Sequence, residues 1–438
     1  MNIDGLRLRI RTRAACVGVI GQGYVGLPLA VGFARVGFTV MGLDNDRDRV
    51  LALTAGRSHS PDVASEALAE VLREGRYRAT TDASVLERCD VVIICVPTPL
   101  RKSKDPDISF VVAAAEEAAA HFRAPQLVIL ESTTYPGTTQ ELLTPLFEAR
   151  GARPGRDVFL AFSPERIDPA NPTFGVRDIP KVVGGATPEC AEIAALLYRQ
   201  LVERVHVVSS PKVAELAKLY ENLFRNVNIA LANEFALMCR RLGVSVWEVI
   251  EAAATKPFGF MPFHPGPGIG GHCIGVDPAY LAWKMRLSGY DARILRVADE
   301  INRAMPDYVV DLVAEALNRR RRSLNGATIL VLGVAYKRGV GDVRESPALE
   351  VIGKLRDCGA DVAYADPHVP EIVLDGGTGT LKAVEPSGER LAEADCIVIA
   401  TDHREFDYRR IVEVARLVVD TRGVTRDIDA PAERLVRL

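Results

Sequence analysis

The first two hundred residues alternate between short apolar runs and amphipathic stretches. Runs of strand length lie at residues 14–20, 38–43, 91–96, 127–130 and 158–162, and the segment GQGYVGLPLAVGFARVG between the first two has the apolar spacing of a helix. Buried strands that alternate with helices predict a parallel sheet covered by helices. We therefore expect an α/β domain over residues 1–209.

The pattern changes after Ser210. Pro211 suits the first turn of a helix behind a serine cap, and apolar residues then recur at helical spacing with no strand signal before Gly243. This predicts one long helix, followed by a helical region that includes residues 299–317. We expect residues 210–317 to form a central helical region. The basic run at 319–322 is interpreted as a solvated connector, which is favoured over an anion site.

Alternating strands and helices return over residues 318–438. Strands are predicted at 328–332, 361–365, 396–400 and 417–419, with a helix near 346–357 that stops at Gly359. The predicted fold class is α/β, with two sheet domains joined by a long central helix and a helical region.

Composition narrows the function classes. The chain has 438 residues, 48% hydrophobic and 25% charged, which is typical of a soluble globular protein with two or three domains. A net charge of -3 gives no basic excess for binding nucleic acid. No segment has the apolar length of a membrane span or a signal peptide, and the eight cysteines form no CxxC pair. We expect a cytoplasmic protein without a nucleic-acid partner or a membrane anchor.

A glycine motif follows the first predicted strand. Gly21, Gly23 and Gly26 form GxGxxG at the start of the next helix, where the backbone can approach a pyrophosphate closely. Asp44 ends the second predicted strand and could accept hydrogen bonds from the adenosine ribose, which favours NAD over NADP. Arg49 is a weaker candidate for the ribose edge or phosphate. The alternative is that the glycines only pack helix against strand.

The segment PFHPGPGIGGHCIGVDP, at 262–278, is too rich in glycine and proline to be a regular element. Gly270 and Gly271 would let the backbone approach a ligand closely. Cys273 could be a nucleophile if nearby positive charge lowered its pKa, although a cysteine taken alone is more often an inert buried thiol. His264 and His272 do not have the spacing of a zinc site, so no metal is expected.

Other polar residues have positions suited to a reaction site. Lys218 and Asn222 are four residues apart on the long helix and share one face, so together they could stabilise an oxyanion; the alternative is a solvated lysine beside a structural asparagine. Thr133, Glu165 and Arg166 follow predicted strands, at the edge where open α/β sheets bind ligands.

An ordered set of motifs extends over nearly the whole chain: GQGYVGLPLA, CVPTPL, ESTTYPGTT, SPERIDPANP, AKLYENLFRNVNIALANE, FHPGPGIGGHCIGVDP and GVAYKRGVGDVRESPALEV. The set resembles the UDP-glucose and GDP-mannose dehydrogenase family, and is most similar to its UDP-N-acetylglucosamine 6-dehydrogenase branch. The resemblance implies two Rossmann-like domains, NAD on the first, a UDP-sugar held largely by the second, and a homodimer formed through the central helix.

The resemblance also implies roles for individual residues. The implied catalytic residues are Cys273, Lys218, Asn222, Asp277, Glu165 and Thr133. The predicted cofactor-binding residues are Gly21, Gly23, Tyr24, Val25, Gly26, Asp44, Arg49, Thr98, Thr133 and Arg344. The predicted substrate-binding residues are Glu165, Arg166, Lys218, Asn222, Phe263, His264, Gly270, Lys337 and Arg422.

The implied reaction is a four-electron oxidation of a C6 alcohol to a carboxylate through a thioester on Cys273. Three positions depart from the family pattern: Gly275 and Ala170 replace a usual proline and glycine, and Pro169 replaces a glutamate of the UDP-glucose branch. N-Acetylglucosamine is the favoured sugar, while glucose, N-acetylmannosamine and N-acetylgalactosamine stay open. The rival classes are a two-electron 3-hydroxy acid dehydrogenase, which needs no cysteine, and a non-enzymatic nucleotide-binding regulator.

Overall fold

The computed structural model describes residues 2–101, 105–166, 173, 175–271, 274–374 and 379–438. The chain forms two compact units. Unit 1 comprises Met1–Glu221 and Ala279–Ser288, and unit 2 comprises Asn222–Pro278 and Gly289–Leu438. Cys273 and His272 lie outside the described residues, as does Ala170 with Pro169. The predicted domain boundaries at 209/210 and 317/318 stay a prediction.

Unit 1 is built from alternating strands and helices. Its strands are β1 (Cys16–Ile20), β2 (Thr39–Leu43), β3 (Tyr77–Thr80), β4 (Val91–Ile94), β5 (Gln126–Leu130), β6 (Val158–Phe162), β7 (Lys181–Gly185) and β8 (Val205–Val208). Its helices are α1 (Ile3–Arg11), α2 (Gly26–Arg35), α3 (Arg47–Thr54), α4 (Ser65–Arg73), α5 (Ser109–Ala120), α6 (Thr144–Glu148) and α7 (Pro188–Tyr198), with short 3-10 and π helices at Ala83–Arg88 and Thr139–Leu143. The start of α8 (Pro211–Leu242) and most of α10 (Asp277–Leu287) belong to it too.

The strands of unit 1 form one sheet in the order β3-β2-β1-β4-β5-β6-β7-β8. Neighbouring strands are parallel except β6 and β7, which pair antiparallel with Phe162 opposite Gly184. The five strands that the sequence predicts, β1, β2, β4, β5 and β6, pair in parallel as expected, and the reversal falls at β7, which was not predicted. The chain reverses at β7, and an apolar strand reads the same in either direction, so the pattern could not show it.

The sheet of unit 1 is buried on both faces, which explains the continuous apolar runs. Val91 and Ile93 pack into one hydrophobic cluster, and Val92 and Ile94 into another on the opposite face. Successive side chains of a strand point to opposite faces, so a strand covered on both sides needs apolar residues throughout. The sheet is therefore a rigid support for the loops at its edges.

Unit 2 holds a second sheet. It contains the rest of α8, α9 (Val246–Ala254), α11 (Arg293–Arg319), α12 (Pro347–Asp357), α13 (Gly388–Glu393) and α14 (Tyr408–Val414). Its strands are β9 (Thr328–Leu332), β10 (Asp361–Ala365), β11 (Glu371–Val373), β12 (Thr380–Lys382), β13 (Cys396–Ile399), β14 (Val418–Asp420) and β15 (Leu435–Arg437). Five of them form a parallel sheet in the order β10-β9-β13-β14-β15, and β11 pairs antiparallel with β12. The prediction of two Rossmann-like sheets and a long helix is confirmed.

The long helix α8 runs for 32 residues from Pro211, as the sequence predicts. A helix at the amino terminus was not predicted, because its basic residues obscure an apolar stripe. Leu6 and Ile10 of α1 are fully buried, and Asn2 caps the helix by accepting a hydrogen bond from the Gly5 N–H at 3.0 Å. Among the described residues, no helix combines the length and apolarity that a membrane crossing requires.

Candidate active site and cofactor site

The turn between β1 and α2 depends on two glycines. Gly21 has a φ of 90°, and its N–H donates to the carbonyl of Leu43 at 2.8 Å. A Cβ on Gly21 would overlap the carbonyl oxygen of Cys95, and a Cβ on Gly26 would overlap that of Gly21. Both positions need glycine for backbone packing. This agrees with the alternative given above, in which these glycines pack the helix against the strand.

The middle glycine of the motif is different. A Cβ on Gly23 would meet no atom within 4 Å, so packing does not explain the glycine. Gly23 precedes the first turn of α2, where free backbone N–H groups and the helix dipole attract an anion. Tyr24 beside it is 44% exposed, and Val25 is the residue that caps α2. The open space at Gly23 lies where the sequence predicts the pyrophosphate of a dinucleotide, and that role stays a prediction.

Asp44 lies directly after β2 and is almost fully buried. Its carboxylate accepts the N–H of Gln22 at 2.7 Å and the N–H of Asp46 at 3.0 Å. Arg49 donates to the same carboxylate at 3.0 and 3.1 Å. The structure thus joins Asp44 and Arg49 to the glycine turn, where sequence reasoning placed the adenosine ribose.

Unit 1 also carries the predicted residues that follow its later strands. Thr133 lies half-buried after β5, and Thr98 is buried after β4. Arg166 pairs with Glu221 on α8 at 2.7 Å and donates to the carbonyl of Pro180 at 2.8 Å. Lys218 on α8 is only 9% exposed. These residues share the carboxyl edge of the sheet or the neighbouring helix, and their roles remain predicted.

A buried charged cluster at this edge was missed by sequence reasoning. Lys181, the first residue of β7, places its Nζ 2.8 Å from Oε2 of Glu131 and 3.1 Å from Oε2 of Glu165. Tyr198 on α7 donates to the other oxygen of Glu131. The sequence feature that could have indicated the cluster is the lysine that begins the apolar run KVVGG. A buried lysine requires a charged or polar partner.

In unit 2, asparagines of α8 hold the part of the chain that follows Cys273. The side-chain amide of Asn222 donates to Asp277, and both residues are buried. Asn226, one turn later, donates to the carbonyl of Ile274 at 3.2 Å. Asn222 and Asp277 are therefore brought together, while Cys273 itself is outside the described residues and the roles of all three stay a prediction.

A second asparagine pair holds the amino-terminal part of the segment at 262–278. Asn233 of α8 is fully buried, and its side-chain oxygen accepts the N–H of Gly266 at 2.9 Å. Its amide donates to the side chain of Asn302 on α11 at 3.0 Å. Buried amides that satisfy one another in this way fix a loop in one conformation.

The paired glycines of this segment are explained by packing. A Cβ on Gly270 would lie 2.7 Å from Cβ of Tyr336 and 2.9 Å from the carbonyl oxygen of Glu345. A Cβ on Gly271 would lie 2.9 Å from the ring of Tyr336. The atoms that approach these glycines belong to the protein, and the expected approach to a ligand stays a prediction. The segment is irregular over its described part up to Gly271, but its last two residues begin α10, which corrects the expectation of no regular structure.

His264 and Phe263 pack against aromatic rings. The imidazole of His264 stacks on Trp247, with centroids 5.8 Å apart, and Phe263 meets Phe224 of α8 edge-on at 5.7 Å. Burial lowers the pKa of His264, with Arg426 and Arg422 adding to the effect, so the ring is neutral at pH 7.

Three predicted cationic residues lie on unit 2. Arg422 follows β14 and places Nε 3.4 Å from Asp402, while Lys337 lies 5.9 Å from the Tyr336 ring centroid. Arg344 pairs with Asp342 at 2.6 Å. Arg422 and Lys337 suit a diphosphate, because both lie on loops that follow strands of the second sheet.

The second sheet, like the first, has a buried carboxylate directly after a strand. Asp366, directly after β10, accepts the N–H groups of Val334 at 2.7 Å and Ala335 at 3.2 Å. His403 donates to the same carboxylate at 3.1 Å, because its other ring nitrogen accepts the N–H of Gly339. Asp366 is therefore occupied by protein donors. Both ring nitrogens of His403 are also used, which argues against a metal on the nearby group of His368, His403 and Glu405.

Comparison with known protein families assigns three domains to the chain. Residues 15–202 match the NAD binding domain of the UDP-glucose/GDP-mannose dehydrogenase family, residues 212–304 its central domain, and residues 330–427 its UDP binding domain. The chain belongs to the UDP-glucose/GDP-mannose dehydrogenase family. NAD is accordingly its cofactor, and the chain is an NAD-dependent nucleotide-sugar dehydrogenase.

Relatives within the family differ in the sugar named. The chain is 38% identical to the UDP-N-acetyl-D-glucosamine 6-dehydrogenase of Pseudomonas aeruginosa, over 89% of this chain and 91% of the relative. It is 37% identical to the UDP-N-acetyl-D-mannosamine dehydrogenase of Pyrococcus horikoshii, over 94% and 96%. The solved structure of a UDP-D-ManNAc dehydrogenase from Pyrococcus horikoshii superposes with a TM-score of 0.87 at 35% identity, covering 96% of this chain and 98% of that one. The family is thus shown, and the sugar is not decided by similarity.

Proposed function

We propose that this dehydrogenase oxidises the C6 alcohol of UDP-N-acetylglucosamine to a carboxylate. The observation that carries the proposal is the presence, in one chain, of an NAD binding domain, a UDP binding domain and the intervening segment with Cys273. N-Acetylmannosamine, N-acetylgalactosamine and glucose are alternatives for the same chemistry. The Pseudomonas relative and the PER and GPGIGGHC motifs favour N-acetylglucosamine.

NAD, when bound, would accept one hydride in each of the two oxidations, so two NAD molecules would be used in succession. In the proposed sequence, the C6 hydroxyl loses its proton to a water held by Asp277 and Thr133, and the resulting aldehyde stays bound. The thiolate of Cys273 adds to the aldehyde, and Asn222 and Lys218 stabilise the oxyanion of the thiohemiacetal. The second oxidation gives a thioester, and Glu165 activates the water that hydrolyses it.

The described geometry supports these roles in part. Asn222 and Asp277 form a buried hydrogen bond to each other, so each fixes the orientation of the other. Lys218 precedes Asn222 by one helical turn on α8, and no ion pair joins it to any residue within the described ranges. A nearly buried cation without an ionic partner is suited to meet a charge that develops on a substrate.

For the UDP moiety, we propose Arg422 and Lys337 as the diphosphate contacts and Arg344 as a residue near NAD. We also propose that the chain forms a homodimer through α8. The helix exposes a series of large apolar side chains that would otherwise face water: Val213, Leu216, Tyr220, Phe224, Leu231 and Met238.

A substrate panel tests the proposal. NADH formation is followed with UDP-N-acetylglucosamine, UDP-N-acetylmannosamine, UDP-N-acetylgalactosamine, UDP-glucose and GDP-mannose, and we expect the highest kcat/KM with UDP-N-acetylglucosamine. Replacing NAD with NADP is the control: Asp44 should repel the 2′-phosphate and lower kcat/KM by about 100-fold or more. Preference for another UDP-sugar would change only the proposed identity of the sugar. Activity with GDP-mannose alone would overturn the assignment of UDP as the nucleotide.

A further inference from the structure

Three neighbouring strands of unit 1 bring opposite charges together at one edge. Glu131 directly follows β5 and Glu165 comes three residues after β6, so both lie at the carboxyl edge of the sheet. Lys181 is at the start of β7, and β7 runs antiparallel to β6. The reversal brings the first residue of β7 to the edge where the parallel strands β5 and β6 end.

The lysine is enclosed by its partners. The exposed fractions of the side chains are 5% for Lys181, 0% for Glu131 and 10% for Glu165. Burial acts to lower the pKa of the Lys181 ammonium, but the charges of Glu131 and Glu165 outweigh it and raise that pKa. Lys181 is thus a cation, and a buried cation contributes little net stability compared with an apolar residue of similar size.

Glu165 is held at both of its oxygens. Oε2 faces Lys181 at 3.1 Å, and Oε1 accepts the N–H of Arg166 at 2.6 Å. Glu131 is held differently, because Tyr198 donates to its second oxygen and its side chain has no exposure at all. Of the two carboxylates, only Glu165 retains contact with solvent, so the cluster presents one oriented carboxylate outward.

We propose that Lys181 is a positioning residue that holds the Glu165 carboxylate, ionised and oriented, for hydrolysis of the thioester. The inference rests on the role proposed above for Glu165. In the step concerned, the water oxygen bonds to C6 and one water proton passes to Glu165. The carbon–sulfur bond then breaks, Cys273 leaves as a thiolate that regains the proton from Glu165, and the remaining proton leaves with the product acid.

Loss of the lysine has a specific consequence. Without the cation, Glu165 loses the contact that orients its carboxylate, and the carboxylates of Glu131 and Glu165 hold one proton between them. A Glu165 carboxylate that shares this proton or turns away accepts a proton from water less readily. Deacylation should then slow at neutral pH and recover as pH rises, whereas the steps that form the thioester should change little.

The test uses the full-length enzyme with NAD and the best UDP-sugar of the panel. Acid-quenched samples are examined by intact-protein mass spectrometry for the covalent sugar adduct, and turnover is measured across pH. Lys181→Met should accumulate the adduct and lose about 10² in kcat at pH 7, with recovery at higher pH. Lys354→Met is the matched control, because Lys354 also pairs with two carboxylates, Asp307 at 2.6 Å and Glu350 at 3.5 Å. It should leave turnover and adduct unchanged.

Two further variants keep the outcome decisive. If Lys181→Met does not fold, Lys181→Met/Glu131→Gln removes the cation together with the repelling carboxylate. This variant should still accumulate adduct, because Glu165 has lost the contact that orients it, but its turnover should not recover as pH rises. Wild-type deacylation in the folded Lys181 variant, or loss of turnover with neither adduct nor a shifted pH profile, would overturn the inference. Glu165→Gln distinguishes the role of Lys181 from the role of Glu165. If Glu165→Gln accumulates adduct while the Lys181 variants do not, only the role of Lys181 fails. If Glu165→Gln deacylates at the wild-type rate, the proposed role of Glu165 fails as well.

Discussion

Replacing Cys273 with serine should reduce uronate formation by on the order of 10³-fold or more, while NAD still binds to unit 1. A serine hydroxyl is far less ionised than a thiol at neutral pH, so it adds to the aldehyde much more slowly. The second oxidation depends on that addition, because the covalent adduct is the species that loses the second hydride. Steady-state uronate release and the adduct mass give the measurement.

Cys358→Ser provides the control for this variant. Cys358 is an exposed thiol directly after α12 in unit 2, and its replacement should change neither turnover nor adduct. Uronate release by Cys273→Ser at the wild-type rate, with no trapped intermediate, would rule out the thioester route.

Gly26→Ala should lower kcat/KM for NAD by more than about 100-fold and also reduce the melting temperature. The added Cβ would overlap the carbonyl oxygen of Gly21, which is backbone and cannot rotate away. The turn must therefore shift as a whole, and overpacking of this kind costs about 1–3 kcal/mol or more. Differential scanning fluorimetry of the enzyme without NAD and NAD-dependent kinetics together measure both effects.

Gly23→Ala is the matched variant in the same motif. Its Cβ would meet no protein atom within 4 Å, so the melting temperature without NAD should stay unchanged. The NAD affinity should nevertheless fall by about 10-fold, because the methyl group occupies space that we assign to the pyrophosphate. Equal loss of stability in both variants would show that Gly23 serves packing rather than the cofactor.

The first strand, turn and helix could be predicted because local sequence alone determines them. β1, the glycine turn and α2 follow one another within about twenty residues, and Asp44 ends the next strand. The helix α8 was equally predictable, since its apolar spacing continues without interruption from Pro211. Both features depend on contacts that are close in sequence.

The features that were missed depend on contacts between distant segments. Lys181 joins Glu131 and Glu165 only because β7 runs against β6, and direction leaves no mark on an apolar run. The reason for Gly270 was likewise hidden, since Tyr336 is far away in sequence. The role of Asn233 depends on Asn302 of another helix. Sequence motifs indicated the candidate reacting residues. The fold identifies the contacts between distant segments that hold those residues and their loops in place.

The NADH yield tests most directly whether the enzyme carries out a four-electron oxidation. A limiting, weighed amount of the preferred UDP-sugar is converted to completion with excess NAD, and the NADH formed is divided by the sugar consumed. Two NADH per sugar are expected, with the uronate as the product by mass spectrometry. One NADH per sugar, with an aldehyde or ketone as the product, would contradict this expectation and would favour a two-electron dehydrogenase that needs no cysteine.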